Sequence, residues 1–306
     1  MSVKLPKIAV LLAAYNGMRW IEEQLNSILG QLTVDVTVFI SIDSSSDGTE
    51  GWCASYAEER SGIVVLPSAG RFGGASRNFF RLVRDVDFSD YDFIAFADQD
   101  DIWQPDKLHR ATQIMRTLDV EGYSSNVVAF WPDGKTHLLD KAQPQVEWDF
   151  LFEAAGPGCT YVMSKGLAAS LTTSVCENWQ QLQSVSLHDW YCYAYARAHG
   201  YRWYIDPQPS MSYRQHESNQ VGANKGLSSL LARYKAIRSG WWFNQVRLIA
   251  QLVGCSDEPF VRGWLGLQRK QLIRLSFSAR KCRRCFRDRV FFFLVCWVVA
   301  FRENTA

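Results

Sequence analysis

The chain has 306 residues, of which 47% are hydrophobic and 21% charged. That composition supplies a sizeable core and excludes an intrinsically disordered chain, and the length fits one large domain or two moderate ones. Net charge is +2 and decides nothing by itself. From the N-terminus, residues 8–13 form a continuous apolar run, as in a strand buried on both faces. Tyr15-Asn16-Gly17 breaks the run too early for a secretory leader. Ile21, Leu25, Ile28, Leu29 and Leu32 recur at helical spacing. A β-branched run over 36–42 predicts the second strand, and a helix follows from about 50 to 60. Residues 63–66 read as a third strand ending at Pro67. The glycine turn of Gly70, Gly73 and Gly74 leads into a helix carrying Phe79, Phe80, Leu82, Val83 and Val86. Phe93-Ile94-Ala95-Phe96-Ala97 is the fourth strand.

This βαβαβαβ order predicts an α/β fold, a mostly parallel sheet covered by helices on both faces. Ligands of such sheets bind at the carboxyl ends of the strands. Polar groups follow each run there: Tyr15-Asn16-Gly17, Asp43-Ser44-Ser45-Ser46-Asp47-Gly48, the glycine turn, and Asp98-Gln99-Asp100-Asp101. Beyond 106 the pattern predicts a helix to about 118, a strand over 127–131, and a turn at Gly156-Pro157-Gly158 before an apolar segment. A helix then starts near Asp189, and a short strand covers 201–205. From about 226 to 301 the pattern is mainly helical and basic.

Three carboxylates within four residues repel one another, and a hard divalent cation with oxygen ligands offsets that repulsion. An acidic turn in water is the plain alternative. Near the C-terminus, Arg280, Lys281, Arg283, Arg284, Arg287 and Arg289 are opposed only by Asp288. The apolar run over 290–301 that follows is shorter than the roughly 20 residues needed to cross a bilayer. Such a pair of segments suits an amphipathic element lying on an anionic membrane surface. A helix packed on the protein, with its arginines solvated, is the alternative. The eight cysteines have no regular spacing, and Cys282-x-x-Cys285 lacks a second pair for zinc, so reduced thiols in the cytoplasm fit best.

Ala13-Ala14-Tyr15-Asn16-Gly17, Asp43-Ser44-Ser45-Ser46-Asp47-Gly48-Thr49, Arg77-Asn78 and Asp98-Gln99-Asp100-Asp101-Ile102-Trp103 occur in that order. The set resembles the family 2 inverting glycosyltransferases. Gly158-Cys159, His188-Asp189-Trp190 and the stretch from Tyr213-Arg214-Gln215-His216 to Gly222 resemble its bacterial rhamnosyltransferase branch. Two departures stand out: Ile42-Asp43 replaces the paired acids common among relatives, and Ser44 stands where a glycine is usual.

The resemblance implies a GT-A fold, with a glycosyltransferase domain over 1–225 and a helical, basic extension over 226–306. Its nucleotide-sugar half would end near 105 and its acceptor half would span about 106–225. It assigns the donor to Ala13, Tyr15, Asn16, Asp43, Arg77, Asn78, Asp98 and Gln99. Asp43 would accept the imide N–H of uracil or thymine. Asp98, Asp100 and His216 would hold Mg²⁺ or Mn²⁺, and Asp189 would be the general base. Asp101, His188, Trp190 and Arg214 would support them. The implied activity is metal-dependent inverting transfer, with L-rhamnose from dTDP-L-rhamnose the first choice among dTDP- and UDP-sugar donors. The acceptor would be a saccharide or lipid-linked molecule in bacterial lipopolysaccharide or surface-polysaccharide assembly. The enzyme would then be cytoplasmic, held at the inner membrane by its C-terminal tail, with no nucleic-acid partner. A nucleotidylyltransferase and a non-catalytic binding module are the competing readings. The first would carry a glycine-rich, basic loop after strand one, of which Ala14-Tyr15-Asn16-Gly17-Met18-Arg19 is a poor version. The second would need no base at Asp189.

Overall fold

The computed structural model describes residues 4–216 and 239–302. The motif residues from Glu217 to Gly222 lie outside them. The chain forms two compact units. One comprises Met1–Ala142 and Ala155–Gln220, the other Gln143–Ala154 and Val221–Ala306.

The first unit opens with strand β1 (Lys7–Ala14), helix α1 (Ile21–Leu29), β2 (Asp35–Ile42), α2 (Thr49–Glu58), β3 (Ile63–Val65), α3 (Ala75–Asp85) and β4 (Phe93–Ala97). Each of these elements was predicted, because each carries its own periodicity. The unit continues with β5 (Ile102–Trp103), α4 (Lys107–Leu118), β6 (Gly122–Ser125), β7 (Val127–Phe130), β8 (Thr136–Leu139) and β9 (Val162–Ser164). Helices α5 (Lys165–Glu177), α6 (Trp179–Leu182) and α7 (His188–Ala198) follow, then β10 (Trp203–Asp206) and β11 (Met211–Arg214).

Seven strands form one sheet in the order β10-β6-β9-β4-β1-β2-β3. β1 pairs in parallel with both β2 and β4. Its side chains from Ile8 to Leu12 are fully buried, as a central strand covered on both faces requires. The chain winds outward from β1 to β3 and then returns to place β4 on the other side of β1. That reversal makes β1 and β4 the switch point of the sheet, and open α/β sheets bind ligands outside the carboxyl ends of the strands at such a point. β9 runs antiparallel between β4 and β6, so the sheet is mixed. A second sheet, β5-β11-β7-β8, was not anticipated; its strands are two to four residues long, too short to show a period.

In the second unit, helices Trp241–Leu252, Arg269–Ser276 and Phe286–Ala300 accompany shorter turns of helix. The segment Gln143–Ala154 joins this unit, which a cut at 225 does not capture. The reason is electrostatic. Arg284 is fully buried and meets Asp149 at 2.9 Å and Glu153 at 3.6 Å, while Arg283 meets Glu153 at 3.7 Å. Two of the six cations expected to face an anionic surface are thus turned inward. Among the described residues no helix is long and apolar enough to cross a membrane.

Candidate active site

The three N-terminal strand ends are tied together by side chains. At the end of β1, the Tyr15 N–H donates to Gln99 Oε1 and the Gln99 amide returns a bond to the Tyr15 carbonyl, each 2.8 Å long. Gln99 therefore spends its amide on bridging β1 and β4. Gly17 is needed for this approach, since a Cβ there would lie 2.5 Å from Gln99 Oε1. Asn16 adopts positive φ, and its side chain accepts from the Ser46 N–H at 2.8 Å. Ala13 is buried in the last turn of β1, beside Ser41 of β2, and Tyr15 is exposed.

Asp43, directly after β2, is buried. Its carboxylate accepts the Phe72 and Gly73 N–H groups at 2.8 Å each, and the Ser44 N–H at 2.9 Å. The glycine turn is thereby latched to the end of β2. A carboxylate has about four acceptor positions, so one is left for a ligand donor. Asn78 is buried, with its amide donating to the Ser41 carbonyl at 2.9 Å and its oxygen accepting from the Ser41 hydroxyl. It faces the strands, so any service to a donor is by holding β2 in place. Arg77 is exposed and donates to the Gln183 carbonyl at 2.9 Å and the Phe72 carbonyl at 3.1 Å. A cavity of about 240 Å³ opens between Gly73, Arg77, Gln183 and Val185.

At the end of β4 the acids divide. Asp100 Oδ2 lies 2.6 Å from His216 Nε2, so two expected metal ligands do meet. The His216 ring also stacks on Trp20 at 4.1 Å. Asp98 groups instead with Asp101 and Cys159, with one ligand atom of each within 4.8 Å of the others. Burial, then Asp100 and Asp189, push the Asp98 carboxyl up to about 7, although part of it reaches solvent. Asp101 is fully buried, and burial with the neighbouring acids raises it well above the usual carboxylate range. Its Oδ1 accepts the Arg214 N–H at 3.0 Å, while Oδ2 has no hydrogen-bond partner. Arg214 also donates to the Asp100 carbonyl at 2.7 Å and pairs with Glu23 at 2.6 Å, which pins the acidic loop.

Sequence reasoning passed over Lys107 and left Cys159 as a motif residue without a role. Lys107 is fully buried, its Nζ 3.6 Å from the Trp103 ring centroid and without a hydrogen-bond partner. Burial brings its ammonium down to about 7, opposed by Cys159 and Asp101. Burial also raises the Cys159 thiol well above its ordinary value, which keeps it protonated and a poor metal ligand. The tight triple of Asp98, Asp101 and Cys159, with an ammonium beside it, is therefore a poor fit for Mg²⁺ or Mn²⁺. Asp100 and His216 offer the oxygen and imidazole donors that suit such a hard ion, but among the described residues Asp98 does not gather with them into a group of three.

Asp189 sits in the first turn of α7. Its Oδ1 accepts the Trp190 N–H at 2.7 Å, and the Gly158 N–H also bonds the carboxylate. Burial outweighs these bonds and brings the group up to about 6. His188 does not orient it. The imidazole stacks on Phe79 at 3.9 Å, its Nε2 has no hydrogen-bond partner, and burial lowers it to about 3. Trp190 is buried. One short turn, Gly158–Thr160, lies by the acids: Gly158 sits against Asp189, and the next residue, Cys159, has its sulfur within 4.8 Å of a carboxylate oxygen of Asp98 and of Asp101. Gly158 admits no side chain, since a Cβ would lie 2.7 Å from His188 Nε2 and 3.0 Å from Asp189 Cβ.

An α/β sheet with a switch point at β1 and an acidic loop after β4 is the arrangement of the GT-A fold. The comparisons agree. The family profile described as glycosyl transferase family 2 matches residues 9–150. The dTDP-rhamnosyl transferase RfbG of Shigella flexneri is 43% identical over 285 residues, covering 93% of this chain and 98% of that protein. The chain belongs to glycosyl transferase family 2. A more distant relative is the UDP-Glc:alpha-D-GlcNAc-diphosphoundecaprenol beta-1,3-glucosyltransferase WfgD of Escherichia coli, 22% identical over 158 residues, or 51% of this chain and 59% of that one. The fold is similar to that of S. aureus TarS 1-349 in complex with UDP-GlcNAc, with a TM-score of 0.55 at 12% identity, over 97% of this chain and 89% of that one. Membership of this family sets aside both the nucleotidylyltransferase and the non-catalytic module.

Proposed function

We propose that this glycosyltransferase moves L-rhamnose from dTDP-L-rhamnose to a saccharide or lipid-linked acceptor, with inversion, in bacterial surface-polysaccharide assembly. The donor choice is supported by the name of the Shigella flexneri relative, which aligns along nearly its full length. A lipid-linked acceptor is supported by the name of the Escherichia coli relative WfgD, a diphosphoundecaprenol glucosyltransferase. The observation that carries the mechanism is the turn Gly158–Thr160, which has Asp189 against one residue and, within 4.8 Å of the next, carboxylate oxygens of Asp98 and Asp101.

In this reading Asp43 receives the thymine imide N–H, beside Tyr15, Asn16 and the β1 end. Asp98, Asp100 and His216 would hold Mg²⁺ or Mn²⁺, which would supply positive charge to the departing diphosphate. Asp189 takes the proton of the acceptor hydroxyl as its oxygen bonds the sugar anomeric carbon. The bond from that carbon to the diphosphate breaks, and the electron pair leaves with dTDP. A carboxylate brought up to about 6 is ionised at neutral pH yet basic enough to share the proton as the bond forms. Eight free cysteines and no disulfide suit a reducing compartment, so the reaction is assigned to the cytoplasmic face of the inner membrane.

The test is a panel of dTDP- and UDP-sugars scored for hydrolysis and transfer, with and without EDTA. The expected result is turnover of dTDP-L-rhamnose that EDTA abolishes and Mn²⁺ or Mg²⁺ restores. Preference for another donor would overturn the substrate, and EDTA-resistant turnover would overturn the metal.

A further inference from the structure

We propose that one exposed apolar face of the helix Phe286–Ala300 docks the C-terminal unit onto an anionic lipid bilayer. The inference rests on the surface of that unit and not on the donor assignment above. The helix is about 22 Å long at 1.5 Å per residue. Phe286, Phe291 and Leu294 are 76%, 53% and 54% exposed, and Val290, Val298 and Phe301 are exposed beside them. At about 100° per residue these six fall within one arc of roughly 140°. Two other residues fall in that arc, Arg287 and the half-buried Trp297. The opposite arc, Phe292, Val295, Cys296 and Val299, is buried. From Val290 to Ala300 the helix is apolar all round, a pattern that belongs in a core or in lipid, yet only part of that circumference is buried. Single exposed apolar residues are ordinary, whereas a continuous stripe marks an interaction site.

Charge selects the occupant. The C-terminal unit holds 16 Lys and Arg against 7 Asp and Glu, while the rest of the chain holds 17 against 24. The near-neutral total thus conceals a strongly basic unit and an acidic one. Arg280 and Lys281 are exposed just before the helix, Arg287 in its first turn, and Arg302 just past its end. A second copy would set one strongly basic unit against another across the stripe. An anionic leaflet supplies the opposite sign and attracts each nearby cation. The helix is too short to span a bilayer and suits one lying in the headgroup plane.

Full-length protein would be sedimented with vesicles of phosphatidylcholine alone and of phosphatidylcholine with phosphatidylglycerol. Binding is expected to the anionic vesicles and to weaken with salt. The exposed double variant F291S/L294S should bind roughly tenfold or more weakly, and R280Q/R287Q several-fold more weakly. Donor hydrolysis without vesicles should be unchanged in both, so failure here is separable from failure of the transferase reading. If the double variant unfolds, the single variants Phe286→Ser and Leu294→Ser carry the same test. Three results would overturn the proposal: no binding by the unaltered protein, equal binding by the apolar variants, or a dimer in ultracentrifugation that F291S/L294S dissolves.

Discussion

Lys107 and Arg284 are buried cations, one in each unit, and they keep different company. Arg284 meets Asp149 and Glu153 and donates to the Ala154 carbonyl at 2.6 Å, so its charge is matched by neighbours of known geometry. Lys107 has only the Trp103 ring at close range, with Asp101 and Cys159 acting on it through space. Asp101 Oδ2 and Lys107 Nζ are both left without hydrogen bonds. In the C-terminal unit buried charge closes on itself and serves the fold. In the sheet unit it is left open, beside acids whose protons are held by crowding. Unpaired buried charge is costly and persists where a ligand or a reaction uses it.

The contrast is sharpest if each unit is attacked at its own charge. Asp189→Asn should lower turnover by about 10²- to 10⁴-fold, the range for losing a general base, with dTDP affinity unchanged by calorimetric titration. Unaltered transfer would remove Asp189 from the mechanism. Asp149→Ala in the other unit should leave that chemistry alone and cost about 3–5 kcal/mol in denaturant unfolding, because Arg284 would lose a buried partner. A loss below 1 kcal/mol would mean that the pair is not what holds Gln143–Ala154. Gly158→Ala forces His188 or Asp189 to shift, and an ångström-scale displacement of a catalytic group costs about 10²-fold in kcat. Its donor binding should survive, which separates misplacement of the base from collapse of the site. The mildest probe is pH. On the proposed mechanism Asp189 works only when ionised, so kcat/KM should be flat above about 6 and fall about tenfold per unit below it. The Asp189→Asn variant should lose that inflection.

The first four strands and three helices were legible because each carries its own apolar period, and the acidic loop was legible because its carboxylates are adjacent in sequence. Arg77 and Asn78 were noticed as a pair, yet neighbours on a helix face different ways. Arg77 is exposed, whereas Asn78 turns in to Ser41. The expected help from His188 failed for a similar reason: adjacency to Asp189 in the chain did not bring its imidazole into hydrogen-bonding contact. Lys107 reads along the chain as an ordinary first-turn lysine on α4. Nothing local announces that Trp103 and Cys159 will enclose it.

From the order of residues alone came the strand-helix alternation, the side of the sheet on which ligands bind, and the candidate acids. These depend on periods of two or 3.6 residues and on chemistry within a few positions. The meeting of Asp98, Asp101 and Cys159, the spending of Gln99 on Tyr15, and the inward turn of Arg283 and Arg284 came from folding. They join positions about 60 to 130 apart, and the insertion of β9 between β4 and β6 that helps bring the first group together has no local signal to read.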